Sequence, residues 1–501
     1  MFEVEVHQLL RRWLREQTPE NAWPHHLSVA RLAARSLRLQ QPTLLQLPAS
    51  GGDRLYLRGL LLPLLLWQGP VVILANSLLR DRLLHRELPL LQHHFDLQKP
   101  LLTADQLPSQ DFQGIWLTDV EHWQTVQTHY PHWPLAIVAA EDLEAQLISA
   151  ASAVITPHDW NVLRCCYPAA ATQLQDWLAR LTFQLFQRPV NPTQHYRLEA
   201  EDLLPLVTWL RSQTNLPMAW QHWLRVPTPA VEAAHLVRET GQFQLRRQPL
   251  AVADLAAPLW RDRPLLLAGE ALDSNSAAPV WSNRLGLPTP TTAQFAGDRH
   301  APGLRLFLPR QAVLPNTPHF QRALLHELRS LLLWLGNRSI VLIVDDQPLL
   351  QQVASALAAE WGSRVQVGAS AQQPDNAIRL CSMATWLEQQ PYHPTPAAIA
   401  IASLPFASAE QPLTAARIEF YQQQRWDWFR DFLLPDALAR LQQAIAPLRK
   451  TGGLLAVYDG RLQRRSYGQA FLEAIAPSER LPQLSLEDPA NAWAAQEESN
   501  N

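Results

Sequence analysis

The chain alternates short, predominantly apolar runs with longer stretches in which apolar residues recur every three or four positions. Thr43–Leu47, Gly69–Ala75 (GPVVILA), Gly114–Leu117 (GIWL), Leu135–Ala140 (LAIVAA) and Ala153–Thr156 (AVIT) are runs of the first kind. Bounded by Gly, Pro or polar residues, they predict strands, and continuous apolarity fits strands buried on both faces of a parallel sheet. Val29, Leu32, Ala33, Ser36 and Leu37 lie at helical spacing, and Ser77–Leu91 reads as a helix. Strand, helix and strand in alternation predict an α/β domain.

From about Pro168 to Leu236 the pattern changes. Helical stretches such as Thr172–Phe186 and Ala200–Gln213, with prolines between them, predict a helical insertion. Gln242–Leu245 and Leu265–Ala268 return the chain to the α/β pattern. Ser274–Gln311, with Pro288, Pro290 and Pro302, is loop-rich and is the candidate interdomain link. A second α/β unit follows: a helix over Thr317–Leu335, a strand over Ser339–Val344 ending in Asp345-Asp346, and a helix over Gln347–Trp361. Strands are expected at Arg364–Val367, Ile378–Ser382, Ala397–Ile401 and Leu454–Tyr458, with helices at Ala415–Phe432 and Pro435–Leu448. The expected organisation is a first domain over 1–167 and 237–290, an insertion over 168–236, a second domain over 291–482, and a loosely ordered acidic tail over 483–501.

With 501 residues, 47% hydrophobic and 17% charged, the chain has material for two or three domains at about 150 residues each. A formal net charge of −3 gives no global basic field, although a local groove can still be basic. Lys99 and Lys450 are the only lysines; the other cations are Arg. Gly numbers 17 against 41 Pro, so few loops can approach a ligand closely. Among the 19 Trp residues most are expected in packing, a minority as base-stacking platforms. Arg425, Trp426, Trp428 and Arg430 interleave cations with aromatics, which suits single-stranded nucleic acid and equally an amphipathic packing helix.

Three cysteines, Cys165, Cys166 and Cys381, cannot fill a four-thiolate iron–sulfur or zinc site. They point to a reducing, cytoplasmic compartment. The amphipathic N-terminus MFEVEVHQLLRRWLREQ does not read as a signal peptide, and Leu60–Trp67 is too short to span a bilayer. No membrane partner is expected. His25-His26 and His93-His94 lack a third ligand at helical spacing, so no metal site is expected there.

The stretch that concentrates candidate chemistry is Leu44–Tyr56, LLQLPASGGDRLY. An apolar strand runs into Ser50, Gly51, Gly52, Asp53 and Arg54 before a helix. A phosphate-binding loop would sit there. Such a loop reads G-x-x-x-x-G-K-S/T, because glycines let backbone N–H groups cradle phosphates while Lys and a hydroxyl meet phosphate and Mg²⁺. Arg54 stands in place of Lys and Leu55 in place of the hydroxyl. From these residues alone a tight turn before a helix is the simpler reading.

The order of landmarks along most of the chain resembles the DinG/XPD-type superfamily 2 DNA helicases. Leu47–Tyr56 sits where that family has its nucleotide loop, and Gly69–Leu91 resembles the strand and helix after it. Thr118–His122 sits at the DEAH box. Ala153–Leu163 resembles an Asn-His segment, and Phe243–Leu272 the approach to the SATL motif. Ile399–Arg417 (IAIASLPFASAEQPLTAAR) resembles the LPF segment, and Phe432–Gln443 the helix before the arginine-finger motif. Leu454–Phe471 keeps the D-x-R and Y-G elements as Asp459, Arg461, Tyr467 and Gly468. The resemblance implies two RecA-like parallel-sheet domains of the P-loop helicase fold with a helical arch-like insertion. It also implies ATP and Mg²⁺ as cofactors, single-stranded DNA as a partner, and a role beside DNA-repair or replication proteins.

The departures fall on the positions of chemistry. Asp53 puts a negative charge where phosphates need N–H dipoles. At the DEAH box Asp119 stands in the Mg²⁺ position, but Val120 replaces the water-activating Glu, Glu121 comes one place late, and His122 follows. SATL is Gly269-Glu270-Ala271-Leu272, and the WEG pattern is Trp386-Leu387-Glu388-Gln389-Gln390. Pro447 stands at the arginine finger, with Arg449 as the remnant second Arg. The iron–sulfur thiolates of the resemblance are missing. The expectation is a degenerate, ATPase-inactive helicase-fold scaffold that binds nucleic acid or protein. The alternative is an active ATP-dependent DNA helicase of the same type. The degenerate nucleotide loop (Ser50, Gly51, Gly52, Arg54), the remnant catalytic positions (Asp119, Glu121, His122, Arg449) and the aromatic–cation stretch (Arg425, Trp426, Trp428) are the candidate site residues.

Overall fold

The computed structural model describes residues 2–16, 23–103, 106–261, 263–297, 303–368 and 374–484. The acidic tail expected over 483–501 lies, from residue 485 on, outside the described residues, as does Pro302. The chain divides into two compact units. The first comprises Met1–Leu47, Leu55–Phe295 and Ala407–Leu433; the second comprises Pro48–Arg54, Ala296–Phe406 and Leu434–Asn501.

The strands of the first unit, in chain order, are β1 (Thr43–Leu47), β2 (Val71–Leu74), β3 (Leu101–Thr103), β4 (Ile115–Thr118), β5 (Leu135–Val138), β6 (Ala153–Ile155), β7 (His195–Arg197), β8 (Ala230–Val237), β9 (Gln242–Pro249), β10 (Leu265–Glu270) and β11 (Thr291–Gln294). Seven of them form a parallel sheet in the order β11-β1-β10-β5-β2-β4-β3. Its inner strands β1, β10, β5, β2 and β4 are buried throughout because both faces of the sheet are covered. Leu45, Leu47, Val71 and Ile73 enter one core with Leu57, Leu60 and Leu64 of the helix Tyr56–Leu66. Leu44, Val72 and Leu74 enter the opposite core with Trp116, Trp123 and Leu255.

The region between β5 and β10 holds more than helices. Helices Ala171–Phe186, Ala200–Arg211 and Met218–Arg225 pack on an antiparallel sheet in the order β6-β9-β8-β7. Ala153–Thr156, read from sequence as another strand of the parallel sheet, opens this separate sheet as β6. The physical reason is visible in its partner β9. Only one face of β9 is buried (Phe243, Leu245, Arg247, Pro249), the alternation of a half-covered antiparallel strand. β8 (AVEAAHLV) was hidden inside the expected helical stretch because its alanines carry no strand signal. Trp160 and Trp220 meet edge to face at 5.0 Å in this core, and the Trp220 indole N–H donates to the Asp159 carbonyl at 3.1 Å.

The second unit has β12 (Leu304–Phe307), β13 (Ile340–Ile343), β14 (Val365–Val367), β15 (Ile378–Cys381), β16 (Ala398–Ile401), β17 (Leu454–Val457) and β18 (Ser478–Leu481). They form a parallel sheet in the order β14-β15-β13-β16-β17-β12-β18. Ile340, Leu342, Leu454 and Ala456 face the helices Phe320–Leu335 and Gln347–Trp361. Val341, Ile343, Leu455 and Val457 face Leu441, Ile445 and Leu448 of the helix Leu434–Thr451. In open sheets of this kind ligands bind beyond the carboxyl ends of the strands, so the loops leaving β1, β4, β13 and β17 are the places to look for chemistry.

Candidate nucleotide and nucleic-acid site

The loop after β1 is held by its own polar groups and by prolines. Gly51 and Gly52 have φ of 62° and 92°, and Arg54 has φ of 46°. The first two are easy for glycine; the third is an uncommon conformation for a residue with a side chain. The Arg54 backbone N–H donates to Ser50 Oγ at 2.9 Å. A Cβ on Gly51 would lie 3.1 Å from Pro447 Cγ, and one on Gly52 3.0 Å from Pro391 Cβ. These two glycines are therefore the residues that let the loop lie flat on proline rings of its own unit. Lys450 Nζ donates to Asp53 at 2.5 Å, an ion pair with both side chains substantially exposed. The other lysine, Lys99, is buried with its ammonium on the carbonyls of Trp67 and Gly69, and burial lowers its pKa to about 8.

Beyond β4, Asp119 begins the helix Val120–Val126. One carboxylate oxygen accepts from the His122 backbone N–H at 2.8 Å, and the other accepts from Arg80 Nη1 at 3.0 Å. Val120 is buried and Glu121 is exposed in the first helical turn. β4 ends at Thr118, so Glu121 belongs to the helix and not to the strand. The His122 ring meets Trp116 edge to face at 5.8 Å, and its Nε2 is buried without a hydrogen bond. Where the resemblance puts SATL, the Glu270 backbone N–H donates to Glu141 Oε2 at 2.9 Å.

Arg449 does not extend into a loop. Its Nη2 donates to the carbonyls of Ala474, Ile475 and Ala476 at 3.1, 2.7 and 3.3 Å, closing the C-terminus of the helix Gly468–Ile475. Those carbonyls have no intrahelical donors, and a cation there is favoured by the helix dipole. Pro447 lies buried within the helix Leu434–Thr451.

The stretch expected as the end of a helix Ala415–Phe432 is a break. The helix Pro412–Gln423 stops, Arg425 takes φ of 60°, and the Trp426 N–H donates back to the Tyr421 carbonyl at 2.9 Å. Asp427 then caps the next turn through the Phe429 and Arg430 N–H groups at 3.1 and 3.0 Å. Trp426 is 52% exposed, with its ring edge-on to Tyr421 at 5.4 Å. Trp428 is half-buried beside Phe429. Arg425 and Trp426 share one exposed turn.

Beyond β17 the polar groups are saturated. Asp459 has no exposed side-chain surface. It accepts from Arg461 Nε and Nη2 at 2.9 and 2.7 Å, from the Arg461 N–H at 2.9 Å and from the Leu404 N–H at 2.7 Å. The Arg461 guanidinium also lies over the Phe406 ring at 5.5 Å, and Phe406 meets Tyr467 at 5.4 Å. The D-x-R element thus holds the Leu404-Pro405-Phe406 segment. Gly468 is required by close approach: a Cβ there would lie 2.0 Å from the Leu462 carbonyl oxygen.

Two parallel sheets with these loops at their carboxyl ends match known helicase structures. The structure named XPD_Helicase aligns with a TM-score of 0.61 at 9% identity, over 92% of this chain and 99% of that one. This chain has an XPD-like helicase fold. Residues 396–478 match the family described as Helicase C-terminal domain, and they contain the Leu404–Phe406 segment, Asp459, Arg461, Tyr467 and Gly468. "ATP-dependent DNA helicase YoaA" of Escherichia coli is 27% identical over 263 residues, 48% of this chain and 40% of that protein. Its namesake in Haemophilus influenzae is 34% identical over 90 residues, 17% of this chain and 14% of that protein. The chain thus spans less than half the length of these curated relatives.

Within the DinG/XPD-type fold one cluster had no sequence signal. The buried Glu144 carboxylate accepts from both Arg284 and Arg417, and Arg417 lies over the Phe432 ring at 4.1 Å. Burial by itself would raise the Glu144 pKa, but the two guanidiniums outweigh it and hold the carboxyl below its ordinary range. Arg417 and Glu144 are 273 positions apart; no periodicity or motif links them. Cys165 and Cys166 are exposed and Cys381 is buried, its thiol pushed up to about 12 by burial. Among the described residues no group of three or more His, Cys, Asp or Glu is placed to hold a metal ion, and no helix is long and apolar enough to cross a membrane.

Proposed function

We propose that this protein acts in nucleic-acid metabolism as a helicase-fold scaffold that binds single-stranded nucleic acid or a repair or replication protein without hydrolysing ATP. The observation that carries the reading is the loop Pro48–Arg54. Its glycines lie against Pro391 and Pro447, its Ser50 hydroxyl is committed to the Arg54 N–H, and its carboxylate is paired with Lys450. A nucleotide phosphate needs free N–H groups, a Lys and a Mg²⁺-binding hydroxyl; this loop offers a carboxylate and Leu55. Asp119 is likewise engaged as a helix cap and with Arg80. The residues present do not fit an ATP–Mg²⁺ complex.

Single-stranded nucleic acid is the favoured ligand because Trp426 and Arg425 offer an exposed ring and a cation on one turn, the elements of sequence-tolerant binding. The second reading, an active ATP-dependent DNA helicase, is favoured by the likeness to the Escherichia coli YoaA helicase over about half of this chain.

The deciding experiment measures ATP binding and DNA-stimulated ATP hydrolysis by the purified protein, with Asp119→Ala controlling for contaminating ATPase. The scaffold reading expects neither binding nor turnover. Turnover abolished by Asp119→Ala establishes the helicase reading instead. Single-stranded DNA affinity is then followed against salt, where each phosphate neutralised adds about 0.7 to the log–log slope. Salt-independent or undetectable binding would leave a protein partner as the function of the scaffold.

A further inference from the structure

The second unit contains a cavity of about 160 Å³ at the amino ends of its strands, the opposite end from Leu404 and Asp459. Ser339 precedes β13, Arg379 lies on β15, and His393 and Thr395 precede β16; Trp386 supplies an apolar wall.

Arg379 sits where an apolar residue would be expected. Along β15 the alternation sends Ile378 and Leu380 into one core and Cys381 into the other. Arg379 shares the Cys381 face and lines the cavity. The residue is only 2% exposed. Its Nε has no hydrogen-bond partner, and its Nη2 meets His393 Nδ1 at 3.4 Å. Burial lowers the His393 pKa and the Arg379 charge lowers it further, and an imidazole, neutral or cationic, offers a guanidinium no counter-charge. Asp375 also lines the cavity, but it is exposed and forms no ion pair with Arg379. A buried guanidinium without an acid is costly unless something anionic joins it.

We propose that this cavity binds a small oxyanion, with the Arg379 guanidinium as its principal ligand. A guanidinium edge presents parallel N–H groups that match two oxygens of one anion. The Ser339 and Thr395 hydroxyls on the same lining add donors. The space is smaller than the ~300–1,000 Å³ typical of pockets for larger ligands, which selects an ion or short carboxylate over a nucleotide. This site is independent of the nucleotide loop and of the scaffold reading.

The test is titration calorimetry of the full chain with sulfate and, separately, with acetate, at ionic strength held constant with chloride. The expected result is saturable one-to-one binding, with sulfate tighter than acetate. Arg379→Met should bind at least about tenfold more weakly, the loss expected for a charge-assisted hydrogen bond. It should also melt no lower than the parent in chloride, because it removes an unpaired buried charge. Should that variant unfold, Arg379→Lys, which keeps the charge and loses the planar fork, serves the same comparison. Saturation by acetate alone still supports the site and assigns it to carboxylates. Absence of saturable binding by either ion, or equal binding by parent and variant, overturns the proposal. So does a linear, equal rise in melting temperature with sulfate, which is general exclusion of the salt from the surface.

Discussion

Each unit closes a strand of its parallel sheet with an aspartate that meets an arginine. After β4 the pair is Asp119 and Arg80, with side chains 37% and 22% exposed and a single contact at 3.0 Å. After β17 it is Asp459 and Arg461, with the carboxylate fully enclosed and also engaged by two backbone N–H groups. The first pair caps a helix at the surface. The second positions the segment Leu404–Phe406 and carries an aromatic ring under its guanidinium. The elements of the DinG/XPD pattern that stand intact, D-x-R and Y-G, have packing work inside their own unit. Arg54, Leu55, Val120 and Pro447 are the positions where the chain departs from the residues that the resemblance leads one to expect.

The sharpest break of this comparison is Asp459→Ala. Removing a buried carboxylate strands Arg461 and the Leu404 N–H, and should cost about 3–5 kcal/mol, read as a lowered urea midpoint of the transition reporting the second unit. A loss under about 1 kcal/mol, the range of surface pairs, would erase the distinction between the two aspartates.

Glu144 extends the comparison to a buried carboxylate in the first unit. Glu144→Gln should cost about 2–3 kcal/mol at pH 7, since two guanidiniums lose their counter-charge. Because the folded-state pKa of Glu144 is depressed, its contribution is complete above the unfolded value of about 4.3. It is lost as pH falls through the folded value. The melting temperature of the parent should therefore drop more steeply below about pH 5 than that of Glu144→Gln, the unfolded carboxylate range being about 4.3. Parallel curves would remove the electrostatic account of the cluster.

Asp119→Ala should cost about 1 kcal/mol, the worth of a helix cap with a surface ion pair, measured by thermal melting of the first unit. A cost comparable with that of Asp459→Ala would mean the two sites are alike after all. The smallest effect is expected from Lys450→Ala, at about 0.3 kcal/mol and vanishing in high salt, because its pair with Asp53 is exposed. A larger, salt-insensitive loss would show that this pair holds the loop Pro48–Arg54 in place.

Strand positions were legible because a strand covered on both faces must be apolar throughout. Val71–Leu74, Ile340–Ile343 and Leu454–Val457 fall within the runs read from sequence, and Ile115–Thr118 runs one residue past its own. β8 was not legible, because Ala and Glu at its positions match helix as well as strand until the partner strand is known. The break at Arg425 was missed for a related reason: the apolar spacing runs on through it, while the positive φ of Arg425 is imposed by the return of the Trp426 N–H to Tyr421.

By itself, the sequence determined a two-sheet α/β protein whose order of landmarks resembles the DinG/XPD helicases, and where it departs from that pattern, since periodicity and motif order are local properties of the chain. Only the tertiary structure decided what the polar residues do. Arg449 caps a helix, Lys450 meets Asp53 from 397 positions away, and Arg417 joins Glu144 so that the segment Ala407–Leu433 belongs to the first unit. Arg379 lines a cavity in which it forms no ion pair with Asp375. Charged side chains find partners across the fold, where burial and geometry fix the pairing, and a linear pattern carries no trace of that choice.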